Sequence, residues 1–317
     1  MDRYGFFGRL KSEFPSQIVV DVTDSCNLAC IHCPHSVIKK SGNIKASHLA
    51  LELNEKMVDE VNRYGKGITE YIRYTSNGEP LLHPHILTML EHAVRKSGTL
   101  VAITTNGSLL NEKKCEAMLD MGLHIIDISI DAYSHETYSK IRINGDFDVM
   151  RLNVHRLLDM RREKLKKIKI VVSFVEQEKN KHEAKLFEDY WKSHGVDYVV
   201  IRRLHTATGY ISHASNKNDC QPERRPCLYP WERMVLTSNG FLSFCPNAWE
   251  GKADMSDYRL VSIKDVWQSE YYNKLRAAHL DNDYTDHELC KNCTDWKETR
   301  WPHEGRSYSD MVRELKE

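Results

Sequence analysis

Short apolar runs alternate with longer amphipathic stretches from about residue 16 to residue 205. Six runs read as strands: Gln17–Val22, Ile68–Thr75, Leu100–Thr104, Ile125–Ile130, Ile168–Phe174 and Tyr198–Arg202. Each is rich in β-branched or other apolar residues, and most are bounded by Gly, Asn or Asp, which favour turns. The stretches between them repeat apolar residues at helical spacing. They predict a helix capped by Asn54 and running to about Tyr64, then helices over His85–Lys96, Glu112–Met121, Phe147–Lys164 and Lys181–His194. Asn111 is placed to cap the helix starting at Glu112, and Gly122 to stop it. Strand–helix alternation builds a parallel sheet with right-handed crossovers. Six units are too few to close an eight-stranded barrel. The pattern therefore predicts an α/β fold, a partial (β/α)6 barrel of the TIM type over residues 1–208. Such sheets place ligands at the carboxyl ends of their strands.

Beyond that point the pattern changes. Residues 209–226 are polar and carry Gly, Pro, Asn and Ser, as a linker does. Residues 227–300 predict a smaller unit. Within it, MVLTSNGFLSFC reads as a β-hairpin whose turn is Asn239-Gly240, and Ile263–His279 as a helix. A small unit of this size often needs a metal or disulfides to hold it together. Residues 301–317 are left as a C-terminal tail.

Chemistry enters with the cysteines. Cys26, Cys30 and Cys33 stand in the run CNLACIHC, a C-x3-C-x2-C spacing directly after the first strand. Three thiols so close cannot all pair as disulfides. They suit three irons of a [4Fe–4S] cluster, with the fourth iron left open for a small molecule. Structural zinc would need four closed ligands, and no matching second half lies nearby. The triplet resembles that of the radical S-adenosylmethionine (SAM) superfamily, whose core is also a partial barrel.

That resemblance implies a SAM site. His32, before the last cysteine, takes the position of an aromatic ring near the SAM adenine. Ser76-Asn77-Gly78-Glu79-Pro80, after the second strand, resembles the superfamily's GGEP turn that holds SAM's amino group, with Asn77 replacing the first glycine. Asn106 lies in a Thr-Asn-Gly turn after the third strand, which reads equally well as a turn alone. Ser129 and Asp131, after the fourth, resemble residues that contact the ribose and methionine groups, although Asp127 and Asp131 would also serve simply to end a strand. Arg142 is a partner for the SAM carboxylate through a bidentate pair. The chemistry implied is a 5′-deoxyadenosyl radical that takes hydrogen from a C–H bond, with electrons from an external donor of the flavodoxin or ferredoxin type.

A second set comprises Cys227, Cys245, Cys290 and Cys293, the last two in C-x2-C. On spacing alone it suits a structural zinc or a second cluster equally. With CPNAW at Cys245 and CTDW at Cys293, it resembles the twitch domain, the shorter form of the SPASM domain; the family's Asp before Trp is Ala248 here. The resemblance implies a fully ligated auxiliary [4Fe–4S] cluster.

Four ligands leave no open iron, so an electron-transfer role fits, and with it an oxidation. The arrangement is similar to that of the aminocyclitol dehydrogenases of aminoglycoside biosynthesis. It implies oxidation of a secondary alcohol on a sugar or aminocyclitol to a ketone. Candidates near the reacting carbon are His205, Arg202 and Tyr74, with Arg203 beside them, each at the end of a strand, where a structural or SAM-contacting role is the alternative to a base. His titrates near neutrality, and Arg orients a hydroxyl better than it accepts its proton. Cys220, in the linker, is either a free thiol or a hydrogen-atom donor that would make the enzyme an epimerase. A peptide-modifying radical SAM enzyme and a non-catalytic metal or redox protein are the other readings. Peptide modifiers usually add a recognition domain or a larger SPASM module. A non-catalytic protein leaves the Gly-Glu-Pro turn unexplained.

Composition narrows the setting. The chain has 317 residues with 45 Lys+Arg against 45 Asp+Glu, so no global field draws it to nucleic acid or an anionic membrane. An odd count of 9 Cys in metal-ligand spacing fits a reducing cytoplasm. No apolar run is long enough for a signal peptide or a membrane span.

Overall fold

The structure, a computed structural model, describes residues 10–40, 46–75, 77–211, 224–298 and 308–314. The six expected strands form: β1 (Gln17–Val20), β2 (Tyr71–Tyr74), β3 (Leu100–Thr105), β4 (Ile125–Ser129), β5 (Lys169–Glu176) and β6 (Tyr198–Arg203). Each pairs in parallel with the next. Around them run α1 (Pro34–Lys40), α2 (Leu51–Tyr64), α3 (Ile86–Lys96), α4 (Glu112–Asp120), α5 (His135–Ile141), α6 (Phe147–Glu163) and α7 (Ala184–Ser193). The α/β partial barrel expected from the alternation is therefore present.

Period two divides the strands. Ile72 and Tyr74 of β2, Val101 and Ile103 of β3, and Ile126 and Ile128 of β4 face outward into one apolar core shared with the helices. The alternate positions face the lumen. At its amino-terminal end Tyr71, Ala102, Ile125 and Val171 form a second apolar cluster. One layer up the lumen turns polar, with Arg73, Thr104, Asp127, Ser173 and Arg202.

The C-terminal part continues the same sheet. The strand β7 (Arg233–Leu236) pairs in parallel with β1, matching Gln17 to Arg233. The hairpin partner β8 (Phe241–Ser243) and then β9 (Asp254–Asp257) follow antiparallel, giving the order β6-β5-β4-β3-β2-β1-β7-β8-β9. Gly240 takes φ 82° in the turn, a conformation glycine adopts without strain. The hairpin thus satisfies the backbone edge of β1 and does not stand apart as a free unit. Short helices α8 (Tyr229–Glu232), α9 (Ile263–Trp267), α10 (Glu270–Asp281) and α11 (Glu288–Lys291) surround it. The expected tail contains α12 (Tyr308–Glu314), whose Met311 and Val312 are buried against Tyr71 and Ala102. This helix plugs the amino-terminal end of the lumen, where Arg313 also pairs with Glu70 at 2.5 Å.

Three helix boundaries differ from expectation. Asn54 does not cap α2, which starts at Leu51 after Ala50; it lies inside, where its side chain accepts the Tyr74 hydroxyl at 2.6 Å. The single helix expected over Ile263–His279 is broken. Ser269 caps α10 by accepting from Tyr272 N–H at 3.2 Å, while its own hydroxyl donates to Val266 O, so it stops α9 and restarts the chain. The stretch from Lys181 opens as a 3-10 turn over Lys181–Glu183 before α7 begins.

Candidate functional site

The loop after β1 carries Cys26, Cys30 and Cys33, all three lining one cavity of about 870 Å³ at the carboxyl ends of the strands. This is within the size range of small-molecule sites. The loop is pinned from several sides. Ala29 and Ile31 N–H donate to Ile143 O and Ile141 O at 2.9 and 3.0 Å, and Glu79 N–H donates to Ser25 O at 2.8 Å. Asn106 Nδ2 donates to Asn27 Oδ1 at 3.0 Å, joining the turn after β3 to the cysteine loop. Gly78 touches the loop so closely that a Cβ there would stand 2.1 Å from Thr23 O, so only glycine fits.

Burial pushes the Cys26 thiol up to about 11 and that of Cys33 up to about 12, and raises Cys30 as well. Three thiolates together in such a place need positive charge, which bound iron supplies. Arg142 adds some: its guanidinium donates to Cys30 Sγ at 3.6 Å. The donor set fits an iron–sulfur cluster. Among the described residues no group of three His, Cys, Asp or Glu side chains gathers closely around a single-ion position.

The other expected SAM residues divide into those on the cavity and those behind it. His32, Asn77, Gly78, Glu79, Asn106, Ser129 and Arg142 line it. Asp131 does not; it is fully buried with φ 65°, and its carboxylate pairs with Arg142 at 2.5 Å and faces His32 Nε2 at 3.3 Å. Asp131 therefore holds the cavity residues in place and makes no contact of its own there. Arg142 correspondingly has an internal carboxylate partner while it lines the cavity. Burial lowers His32 to about 4, so its ring is neutral. Glu79 lines the cavity and also has partners within the protein. Its carboxylate accepts from Thr105 Oγ1 at 2.6 Å, Asn106 N–H at 2.8 Å and Leu81 N–H at 3.1 Å, stapling two turns together. Pro80 is buried behind it as the first residue of a 3-10 turn. Ser76 lies outside the described residues.

Of the candidates near the reacting carbon, Arg202 and His205 line the cavity. Tyr74 does not. It faces outward into the helical core with no exposed surface and donates to Asn54, so the parity of β2 removes it from the site. His205 Nδ1 accepts the Ala207 N–H at 3.2 Å and lies 3.8 Å from Asp295 Oδ2. Cys220 lies outside the described residues.

The polar layer of the lumen joins strand residues that no motif connects. Asp127 Oδ2 accepts from Arg73 at 3.0 Å and Arg202 at 2.8 Å, while Oδ1 accepts from Ser173 at 2.8 Å. Burial alone would raise its pKa, and the two guanidiniums outweigh burial and hold it below the usual carboxylate value. The signal was present: charged residues stood at inward positions of otherwise apolar strands.

The second cysteine set also converges. Cys227, Cys245, Cys290 and Cys293 line a second cavity, together with Phe244 and Trp296. Burial pushes Cys290 up to about 12 and raises the other three. Tyr229 and Asn247 line both this cavity and the large one, and so form a wall shared between them.

A partial barrel with an open cysteine triplet at its carboxyl end, and a closed set of four beside it, defines a class of iron–sulfur radical enzymes. The Radical SAM superfamily matches residues 20–185, and the SPASM iron-sulfur cluster-binding domain matches residues 227–294. The chain belongs to the radical SAM superfamily and uses SAM, a [4Fe–4S] cluster and the additional iron–sulfur binding of a SPASM domain. It is 31% identical over 140 residues to the GTP 3′,8-cyclase of Chlorobaculum tepidum, covering 44% of this chain and 40% of that protein. It is 30% identical over 128 residues to the AdoMet-dependent heme synthase of Methanosarcina barkeri, covering 40% and 34%. The matches span about a third to three-fifths of the length of these curated relatives. Among solved structures, BtrN in complex with AdoMet and 2-DOIA aligns with a TM-score of 0.61 at 18% identity over 92% of this chain and 96% of that one. Streptococcus suis SuiB bound to precursor peptide SuiA aligns at 0.66 and 14% identity over 95% and 73%. Both likenesses are of fold. Among the described residues no helix is long and apolar enough to cross a membrane.

Proposed function

We propose that the protein is a radical SAM dehydrogenase that oxidises a secondary alcohol of a sugar or aminocyclitol to a ketone. Cys26, Cys30 and Cys33 would hold the SAM-binding cluster, and Cys227, Cys245, Cys290 and Cys293 a fully ligated auxiliary one. When bound, SAM and its reduced cluster supply a 5′-deoxyadenosyl radical that takes a hydrogen atom from carbon.

The chain's own residues do the rest. Glu79 and Asn106 lock the turns that cradle SAM's methionine end against the cysteine loop. His32, with its nitrogens engaged by Asp131 and Gln177, turns an uncharged ring to the adenine. Arg202 and Arg73, fixed on Asp127, orient the substrate hydroxyl from below. His205 offers a second donor from the β6 edge. The wall residues Tyr229 and Asn247 separate the substrate from the auxiliary cysteines by a single layer. That shared wall is the observation that carries the reading, since an oxidation needs an electron acceptor beside the reacting carbon.

Anaerobically reconstituted protein, given SAM, dithionite and a panel of aminocyclitols and sugars, should form 5′-deoxyadenosine and a product two mass units lighter. An unchanged product mass with deuterium gained in heavy water would overturn the dehydrogenase assignment in favour of epimerisation. Turnover of a peptide panel offered in parallel to cross-linked or oxidised products, with the sugars left unchanged, would place the activity on peptides.

A further inference from the structure

Two consecutive residues after β6, Ala207 and Thr208, adopt φ 49° and 55°. Neither is glycine, and L residues occupy this left-handed region only under constraint. The constraint is Asp295, two residues beyond Cys293 and only 5% exposed. Its Oδ1 accepts the Thr206 N–H and the Thr206 hydroxyl, both at 2.7 Å. Its Oδ2 accepts the Thr208 N–H at 2.9 Å and Asn247 Nδ2 at 3.2 Å. Its own N–H donates to Cys293 Sγ at 3.4 Å.

These contacts join parts distant in sequence. Ala207 and His205 line the large cavity, Thr208 lines the auxiliary one, and Asn247 lines both. The Thr208 hydroxyl also donates to Asn247 O at 3.3 Å. One buried carboxylate thus gathers four donors from two wall segments, while its backbone is tied to an auxiliary cysteine.

We propose that Asp295 is a positioning residue that couples the auxiliary cluster to the wall of the substrate cavity. Ligation of Cys293 fixes the Asp295 backbone. The fixed carboxylate then holds residues 205–208 in their strained conformation, which keeps His205 and Ala207 on the cavity. Without the cluster the strut is free, the strain relaxes and the wall opens. The substrate side would therefore be complete only in protein whose auxiliary site is loaded. The inference rests on the assignment of Cys293 as a ligand and not on the identity of the substrate or the reaction.

Amide hydrogen exchange on full-length protein tests it. In reconstituted wild type the Thr206 and Thr208 amides should be protected. Asp295→Asn keeps the shape but turns an NH2 group toward Thr208 or Thr206. It should speed exchange of both amides ten- to a hundredfold, as expected for losing buried hydrogen bonds to a charged acceptor. Iron content and the electron paramagnetic resonance signal of the auxiliary cluster should remain those of wild type. SAM affinity should stay within twofold. Thr206→Val removes one hydroxyl donor alone and should give a smaller change in the same direction. Wild-type protein stripped of iron should lose the same protection without any mutation. Unchanged exchange at Thr206 and Thr208 in Asp295→Asn would overturn the proposal. So would loss of the auxiliary iron in that variant, because Asp295 would then serve the cluster alone. Full protection in iron-free wild type would refute the coupling.

Discussion

Replacing Asp127 by Asn removes the charge at the centre of the lumen while keeping its shape. The carboxylate has no exposed surface and serves Arg73, Arg202 and Ser173 at 2.8–3.0 Å. Removing one partner of a buried ion pair costs about 3–5 kcal/mol. The Arg202 side chain keeps 31% of its surface in solvent, so water compensates part of its charge. The lower end applies, about 3 kcal/mol, or about 5 °C in melting temperature for a chain of this size. Adding Arg73→Met should cost less than the sum of the two single changes, because it removes one of the cations left facing an amide. Acid provides a second check. The folded pKa of Asp127 is depressed, so its contribution is present above the ordinary carboxylate pKa and fades as pH falls through the folded value. The gap between wild type and Asp127→Asn should be widest near neutral pH and narrow on acidification. Melting curves at matched iron content, recorded anaerobically by circular dichroism from pH 7 downward, measure both effects. A variant within about 0.5 kcal/mol of wild type at neutral pH, or a gap that widens in acid, would refute the reasoning.

Three further outcomes follow from single contacts. Tyr74→Phe should cost about 1–2 kcal/mol through the lost bond to Asn54, yet leave 5′-deoxyadenosine formation within twofold of wild type; a hundredfold loss of turnover would return Tyr74 to the site. Met311→Ala should lower stability by about 2–4 kcal/mol, since a side chain 2% exposed leaves a cavity at the base of the lumen; a melting temperature equal to wild type would show that α12 does not plug the barrel. Asp254 is held up at about 6, first by burial and then by Asp24. Its raised pKa favours the folded state below the unfolded value near 4, and that advantage is lost as pH rises through 6. Asp254→Asn should therefore be more stable than wild type by about 1–2 kcal/mol at pH 8 and equal to it near pH 4, and equal melting at both values would count against this.

Much of this was legible because strand–helix alternation and metal spacing are local signals. All six barrel strands lie where apolar runs predict them, within a few residues. The Asn239-Gly240 turn and the Asn111 cap follow from single residues whose geometry has few alternatives. What the sequence hid depends on which side of a strand a residue faces. Tyr74 and Arg73 are neighbours, yet one lies in the helical core and the other in the lumen; a strand end marks a site only after its parity is known. Asp131 and Glu79 were recognised as site residues by motif. Their roles as internal staples required partners up to 49 residues away, at Glu79–Thr105, Asp131–Val175 and Asp131–Asn180. The merging of the hairpin with β1 was equally invisible, since strand pairing across two hundred residues leaves no local trace.

The pairing of β7 with β1 gives the chain its economy of layout. The strand that leads into the open cysteine triplet is also the one to which the four-cysteine unit attaches, so both metal sets are referred to one backbone. Three segments then close the space between them: residues 205–208 after β6, the Tyr229–Arg233 run into β7, and the loop after β8 at Asn247. Each comes from a different part of the sequence. The Asp295 carboxylate joins the first and third, while Arg233 lies 3.8 Å over the Tyr229 ring and braces the second. One buried carboxylate ties two of these segments together, so damage at the auxiliary cysteines should be felt at residues 205–208 before it reaches the sheet.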